Sequence, residues 1–161
     1  TQIECDALAV DLQQTGFSAV ALHGALSQGL RNRRLMALRQ GMVQILVATD
    51  IVSRGIDVDN IGLVVNYDVP HDAEDYIHRV GRTARASSTG VALTFINQTD
   101  QLRFSKIEKL IGEAIYKAPN PEEIGEGPAY NPQPYGKGRK NNSGNGGGKP
   151  NAQFMEQRTM E

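Results

Sequence analysis

Four apolar residues, Ile45–Ala48 (ILVA), run without a break into a polar cluster of Thr49, Asp50, Ser53, Arg54, Gly55 and Asp57. An apolar run this short, with β-branched members, reads as a buried strand rather than a helix. In open α/β sheets, ligands bind just beyond the carboxyl ends of strands. The polar groups crowded at this strand end are therefore candidates for a site.

A second stretch carries charge of one sign. Residues 76–85 read YIHRVGRTAR. If they continue as one helix, His78, Arg82 and Arg85 share a face, with Arg79 beside them. Like charges at that spacing repel unless an anion lies opposite, and the planar arginine fork matches phosphate oxygens two at a time. A phosphate is the expected partner, against the plainer reading of a solvated basic face. Gly81 costs about 1 kcal/mol relative to Ala inside a helix, which suggests a close approach to the backbone there.

Together the two stretches resemble the second RecA-like domain of DEAD-box RNA helicases. ATDIVSRGID is similar to motif V of that family, and HRVGRTAR to its motif VI. The resemblance covers residues 3–116 and implies an α/β fold: a three-layer RecA-like domain with a mainly parallel sheet between helices. It implies that Arg82 and Arg85 are arginine fingers on the γ-phosphate of ATP, and that Gly55 and Asp57 belong to the ATP site, Asp57 on the ribose. Thr49 and Asp50 would face the RNA backbone. Arg54, His78 and Arg79 would couple the RNA and nucleotide sites across two domains. DNA-translocating and DEAH-like relatives usually carry Gln at the position of His78, so they fit less well.

At 161 residues the chain has room for one ordinary domain with a real core. Its net charge of −1 argues against a generic basic nucleic-acid binder, so any such contact rests on a few placed residues. The single cysteine, Cys5, excludes an internal disulfide; it shares a stripe with Leu8, Ala9 and Leu12 and reads as a small core residue. No apolar run reaches the eighteen or so residues of a membrane span, and no signal peptide is visible. A monomer in a reducing cytoplasm is expected.

In chain order, residues 3–14 have helical periodicity and stop at Gly16. In the family a strand carrying motif IV precedes this helix, and it is absent here; a fragment of a longer protein is expected. Residues 17–22, FSAVAL, suggest a strand running into the His23-Gly24 turn, where glycine leaves the backbone open to a ligand. The resemblance makes Gly24 an RNA contact through its amide, while His23 by itself could simply order the turn. Ser27 is a candidate N-cap for a helix over 28–39. Gln28 and Arg31 match the family's QxxR element, which implies RNA contact; Arg33, Arg34 and Arg39 read as a solvated basic face. LVVNY at 63–67 and VALTFI at 91–96 suggest two further strands, and 98–116 a closing helix. His71 reads as a turn residue without a ligand role.

From residue 119 the composition changes. Residues 119–150 hold six of the seven prolines and eight glycines, with few large apolar side chains, so a disordered tail over 119–161 is expected after a domain spanning 1–118. Its basic residues Lys137, Arg139, Lys140 and Lys149 fit either a plain linker or a loose hold on phosphates. The segment 107–132 is also similar to bacterial RhlE-like members.

No GxxxxGK[ST] loop occurs, since Gly148-Lys149 is followed by Pro150, and no DEAD tetrapeptide is present. The resemblance thus implies an N-terminal RecA-like partner domain that holds most of the ATP and its Mg2+, with this chain alone inactive. Two other functions compete, a non-enzymatic RNA-binding module and a structural scaffold. A scaffold gives no reason for two arginines and an aspartate near strand ends.

Overall fold

A computed structural model describes residues 1–50, 58, 61–83, 90–134 and 156–158. The chain divides into two compact units, residues 1–59 and 60–161.

In the first unit, α1 (Gln2–Gln14) opens with a capping box: Thr1 accepts from the Glu4 N–H, and the Glu4 side chain returns to the amino terminus. Strands β1 (Ala19–Leu22) and β2 (Ile45–Ala48) pair in parallel, with Ala19 opposite Ile45 and Leu22 opposite Ala48. Parallel neighbours need a crossover, and α2 (Gln28–Arg39) supplies it. α1 packs on both strands through Cys5, Ala9, Ala21 and Val47. The Cys5 thiol donates to the Val47 carbonyl at 2.9 Å, and burial pushes its pKa up, as befits a core residue rather than a nucleophile.

In the second unit, β3 (Leu63–Asn66) and β4 (Val91–Thr94) pair in parallel, Leu63 opposite Val91. α3 (Ala73–Val80) and α4 (Gln101–Ile111) pack against each other, and their core gathers Val69, Tyr76, Ile96, Phe104, Ile107 and Ile115. Tyr76 and Phe104 meet edge to face at 5.9 Å between ring centroids. Each large side chain fully buried there contributes about 1.5–3 kcal/mol. The α/β class and the parallel pairing are as the sequence indicates.

Three expectations change. The helix through residues 76–85 stops at Val80, with Gly81 as its C-cap, so Arg82 is on a turn and does not share a helical face with His78. The closing helix is shorter than 98–116, ending where Gly112 takes a left-handed conformation, φ 80°. The tail is not disordered from residue 119: a 3-10 turn forms at Glu122–Ile124, and Tyr130 packs on Phe104 at 6.4 Å. The Gln101 side chain, 2% exposed, donates to the Ala129 carbonyl and accepts from the Asn131 N–H, fastening this strap to α4. A short strand β5 (Glu156–Arg158) pairs antiparallel with β4. Lys137, Arg139, Lys140 and Lys149 lie outside the described residues.

Candidate RNA and nucleotide site

The register of the first unit brings two sequence-distant segments to one edge. Leu22 ends β1 opposite Ala48, and the Thr49 N–H extends the ladder by donating to the Leu22 carbonyl at 3.2 Å. The His23-Gly24 turn and the Thr49-Asp50 pair therefore leave the sheet side by side, at the carboxyl ends where α/β sheets bind ligands. The turn is closed by the Leu26 N–H on the His23 carbonyl at 3.2 Å. Among the described residues nothing requires glycine at 24, because a Cβ there would meet only Gln2 Nε2 at 3.6 Å, an ordinary contact. The backbone at that point is left exposed.

α2 begins directly after this turn. Ser27 caps it by accepting from the Leu30 N–H at 3.3 Å, which sets the first turn carrying Gln28 and Arg31. Gln28 donates to Asn32 at 2.9 Å and is exposed. Arg31 is half-buried, and its Nε is buried without a hydrogen-bond partner. Arg34, expected on a solvated face, instead donates to the Ala21 carbonyl and ties α2 to β1.

In the second unit, Asp72 caps α3 by accepting from the Glu74 N–H at 2.9 Å, Glu74 and Asp75 occupy the first turn, and His78 and Arg79 the last. This order complements the helix dipole. His78 is exposed. Arg79 is held within its own unit, Nη1 donating to Asn66 Oδ1 and to the Asp68 carbonyl, both at 3.2 Å. The chain then turns tightly, with Gly81 N–H on Ile77 O at 2.8 Å, Arg82 N–H on Arg79 O at 3.1 Å and Thr83 N–H on Val80 O at 3.0 Å. A Cβ on Gly81 would stand 3.0 Å from the Ile77 carbonyl, so the close approach inferred there is made by the helix itself. Thr83 is buried and donates to the Ile61 carbonyl at 2.6 Å, which fixes the turn carrying half-buried Arg82. Thr83 and Asn66 are the site residues that sequence reasoning missed; the one signal was a polar residue ending the apolar run LVVN.

Arg54, Gly55, Asp57 and Arg85 lie outside the described residues. Among the described residues no group of three or more His, Cys, Asp or Glu could hold a metal, and no helix is long and apolar enough to cross a membrane.

Parallel strands between helices, with polar residues gathered at strand ends, define a RecA-like α/β domain of the kind found in nucleic-acid-dependent nucleotide hydrolases. The chain matches the helicase conserved C-terminal domain family over residues 1–87, more than half its length, and belongs to that family, in its DEAD-box RNA helicase branch. It is 41% identical over 150 residues to the pre-mRNA-splicing ATP-dependent RNA helicase PRP28 of Gibberella zeae, covering 92% of this chain and 20% of that protein. Among solved structures it resembles the E. coli DEAD-box protein SrmB bound to regulator of ribonuclease activity A, with a TM-score of 0.71, 33% identity, and coverage of 88% of this chain and 78% of that one. It also resembles S. cerevisiae Dbp5 bound to RNA and ADP BeF3, with a TM-score of 0.65, 34% identity, and coverage of 71% and 31%. The chain spans about a fifth of the length of the curated relatives it matches.

Proposed function

We propose that this chain is the second RecA-like domain of an ATP-dependent RNA helicase and acts with an N-terminal RecA-like domain of the same protein. The observation that carries the reading is the strand-end cluster of the first unit, where an open glycine backbone, Thr49 and half-buried Arg31 belong to adjoining elements. These groups recognise a backbone phosphate and sugar, not a base edge, so the RNA contact carries little sequence preference. Dbp5, solved with RNA and a nucleotide, supports the same pairing of ligands.

In this mechanism Gly24 offers its amide, and Thr49 its hydroxyl, to one stretch of single-stranded RNA; Asp50 and Gln28 flank it, and Arg31 supplies charge. Arg82, with Arg85, meets the γ-phosphate of ATP when the two domains close. Gly55 and Asp57 serve the nucleotide, and Arg54, His78 and Arg79 couple the two sites; for Arg54, Gly55, Asp57 and Arg85 the assignment rests on sequence. Arg79, anchored to Asn66 and Asp68, couples by holding the end of α3 on β3. The resemblance assigns Mg2+ to the N-terminal domain with most of the ATP, and no step depends on its ligands. Bending of the bound strand on closure opens a short duplex locally. The protein works as a cytoplasmic monomer, with residues 1–118 as its RecA-like domain and an RhlE-like stretch over 107–132.

The test is Arg82→Ala in the two-domain protein. Arginine fingers contribute about 10³–10⁵ in rate to phosphoryl transfer, so RNA-stimulated ATP hydrolysis should fall at least a hundredfold. Turnover close to that of the unaltered protein would remove the finger assignment.

A further inference from the structure

His23 is 4% exposed, yet it ends a strand and precedes the exposed turn at Gly24. Its Nε2 lies 3.1 Å from Oδ1 of Asp6 on α1, while Nδ1 is buried with no hydrogen-bond partner. An ionised carboxylate can only accept, so Nε2 is the donor, and among the described residues nothing pairs with Nδ1. An apolar side chain would fill the same space with no orphaned nitrogen. A histidine is explained here if its ring is the handle by which α1 holds the turn.

We propose that Asp6 and His23 form a positioning pair that sets the direction of the Gly24 backbone for RNA, so that α1, which carries none of the RNA contacts, contributes to RNA affinity. The geometry gives the pair this leverage. The His23 carbonyl closes the turn onto the Leu26 N–H, so a ring fixed by Asp6 fixes the peptide that leads into Gly24. The neighbouring segment is fixed separately, by Thr49 N–H on the Leu22 carbonyl, and its place does not depend on Asp6. Loss of the pair therefore disturbs one side of the RNA contact and leaves the other.

The proposal rests on the RNA reading above, and charge makes it separable from a general electrostatic effect. Asp6 is a carboxylate at 57% exposure near the site assigned to a polyanion. Removing it should, by electrostatics alone, tighten RNA binding. Positioning predicts the reverse.

The experiment compares the full-length protein with its Asp6→Ala, Asp6→Asn and Asp11→Ala variants by RNA-stimulated ATP hydrolysis, titrating single-stranded oligouridine and following thermal unfolding alongside. Asp6→Ala should raise the KM for RNA about tenfold, with kcat at saturating RNA changed less than about twofold. Asp6→Asn, which keeps an acceptor for Nε2 but not the charge, should restore the KM. Asp11→Ala removes another exposed α1 carboxylate and should leave KM unchanged. An unchanged or lower KM in Asp6→Ala overturns the proposal, as does an equal rise in Asp11→Ala, or a lower melting temperature and kcat with KM unmoved. In each of these cases the helicase reading survives; absence of any RNA stimulation in the unaltered protein would instead overturn that reading, and the proposal with it.

Discussion

Oδ1 of Asn66 accepts from Nη1 of Arg79 at 3.2 Å, and this one contact joins the end of β3 to the last turn of α3. Asn66 is 1% exposed and its Nδ2 donates to Thr94 Oγ1 on the neighbouring strand at 3.2 Å. The side chain thus connects two strands and a helix with both ends of its amide used. Asn66→Ala leaves the Thr94 hydroxyl and one arginine donor without that partner in a buried setting. A loss of about 2–3 kcal/mol is expected, measured by urea unfolding. Thr94→Val spares the arginine contact but takes the hydroxyl from both Asn66 and Tyr76, and should cost about 1–2 kcal/mol. A smaller loss in Asn66→Ala than in Thr94→Val would mean that the arginine half contributes nothing.

A second prediction concerns the strap that crosses α4. Gln101 holds Ala129 and Asn131 with both ends of its side chain, and the Tyr130 hydroxyl donates to Glu108 at 2.6 Å. The Lys117 ammonium lies 4.5 Å from the centroid of the Tyr130 ring and pairs with the same carboxylate. Gln101→Ala should destabilise the protein by about 2–3 kcal/mol, and Tyr130→Phe by about 1–2 kcal/mol. Limited proteolysis should then cut between residues 119 and 134 sooner in both variants than in the unaltered chain. Cleavage at an unchanged rate would show that the strap is not held by these bonds.

The strap also has a pH signature. Burial pushes the Glu108 carboxyl up, but hydrogen bonds from Lys117, Tyr130 and the Ile115 N–H outweigh burial and hold it below the ordinary value. A group whose folded pKa is depressed stabilises the fold above its unfolded pKa and loses that contribution as pH falls through the folded one. The strap should therefore loosen as pH drops below the usual carboxylate range near 4. Tyr130 shifts the other way, raised first by burial and then by its bond to Glu108 and that residue's charge. Its contribution is complete below the ordinary tyrosine pKa near 10 and declines above it. Melting temperature against pH should show both limbs, and Glu108→Gln should flatten the acid one. An acid limb that keeps its slope in that variant would assign it to other carboxylates.

Much of this was legible in the sequence, and the failures have physical causes. α2 and β2 fall at their expected bounds because local signals agree there: Ser27 as cap, a glycine stop, a β-branched apolar run. The stretch 76–85 misled because helical periodicity continues through Gly81 while the backbone does not; what ends the helix is the buried Thr83 hydroxyl on Ile61, a tertiary contact that spacing cannot show. Residues 119–134 misled for the converse reason. Their composition cannot form a core, yet Tyr130 needs only to join one already built around Phe104. At the candidate site, Gly24, Arg31 and Thr49 are assigned from residue type and resemblance, and the parallel register brings the Gly24 turn and Thr49 to one sheet edge, whereas Asp6 gave no signal, since an aspartate on a helix reads as surface.

The salt dependence of RNA binding counts the phosphates that are held. With a net charge of −1, this chain has no general attraction for RNA, so its own share of the affinity must come from few cations, each releasing counterions from the phosphate it meets. For single strands each such contact adds about 0.7 to the slope of log affinity against log salt. Arg31, half-buried on the first turn of α2 beside the Gly24 turn, belongs to that small set; Arg33, two residues on and exposed, does not. Arg31→Ala in the full-length protein should weaken oligouridine binding and reduce the slope by about 0.7, while Arg33→Ala should leave the slope as it was. The two variants change net charge equally, so an equal loss of slope in both would mean that the helix acts through its overall field, and that Arg31 touches no phosphate.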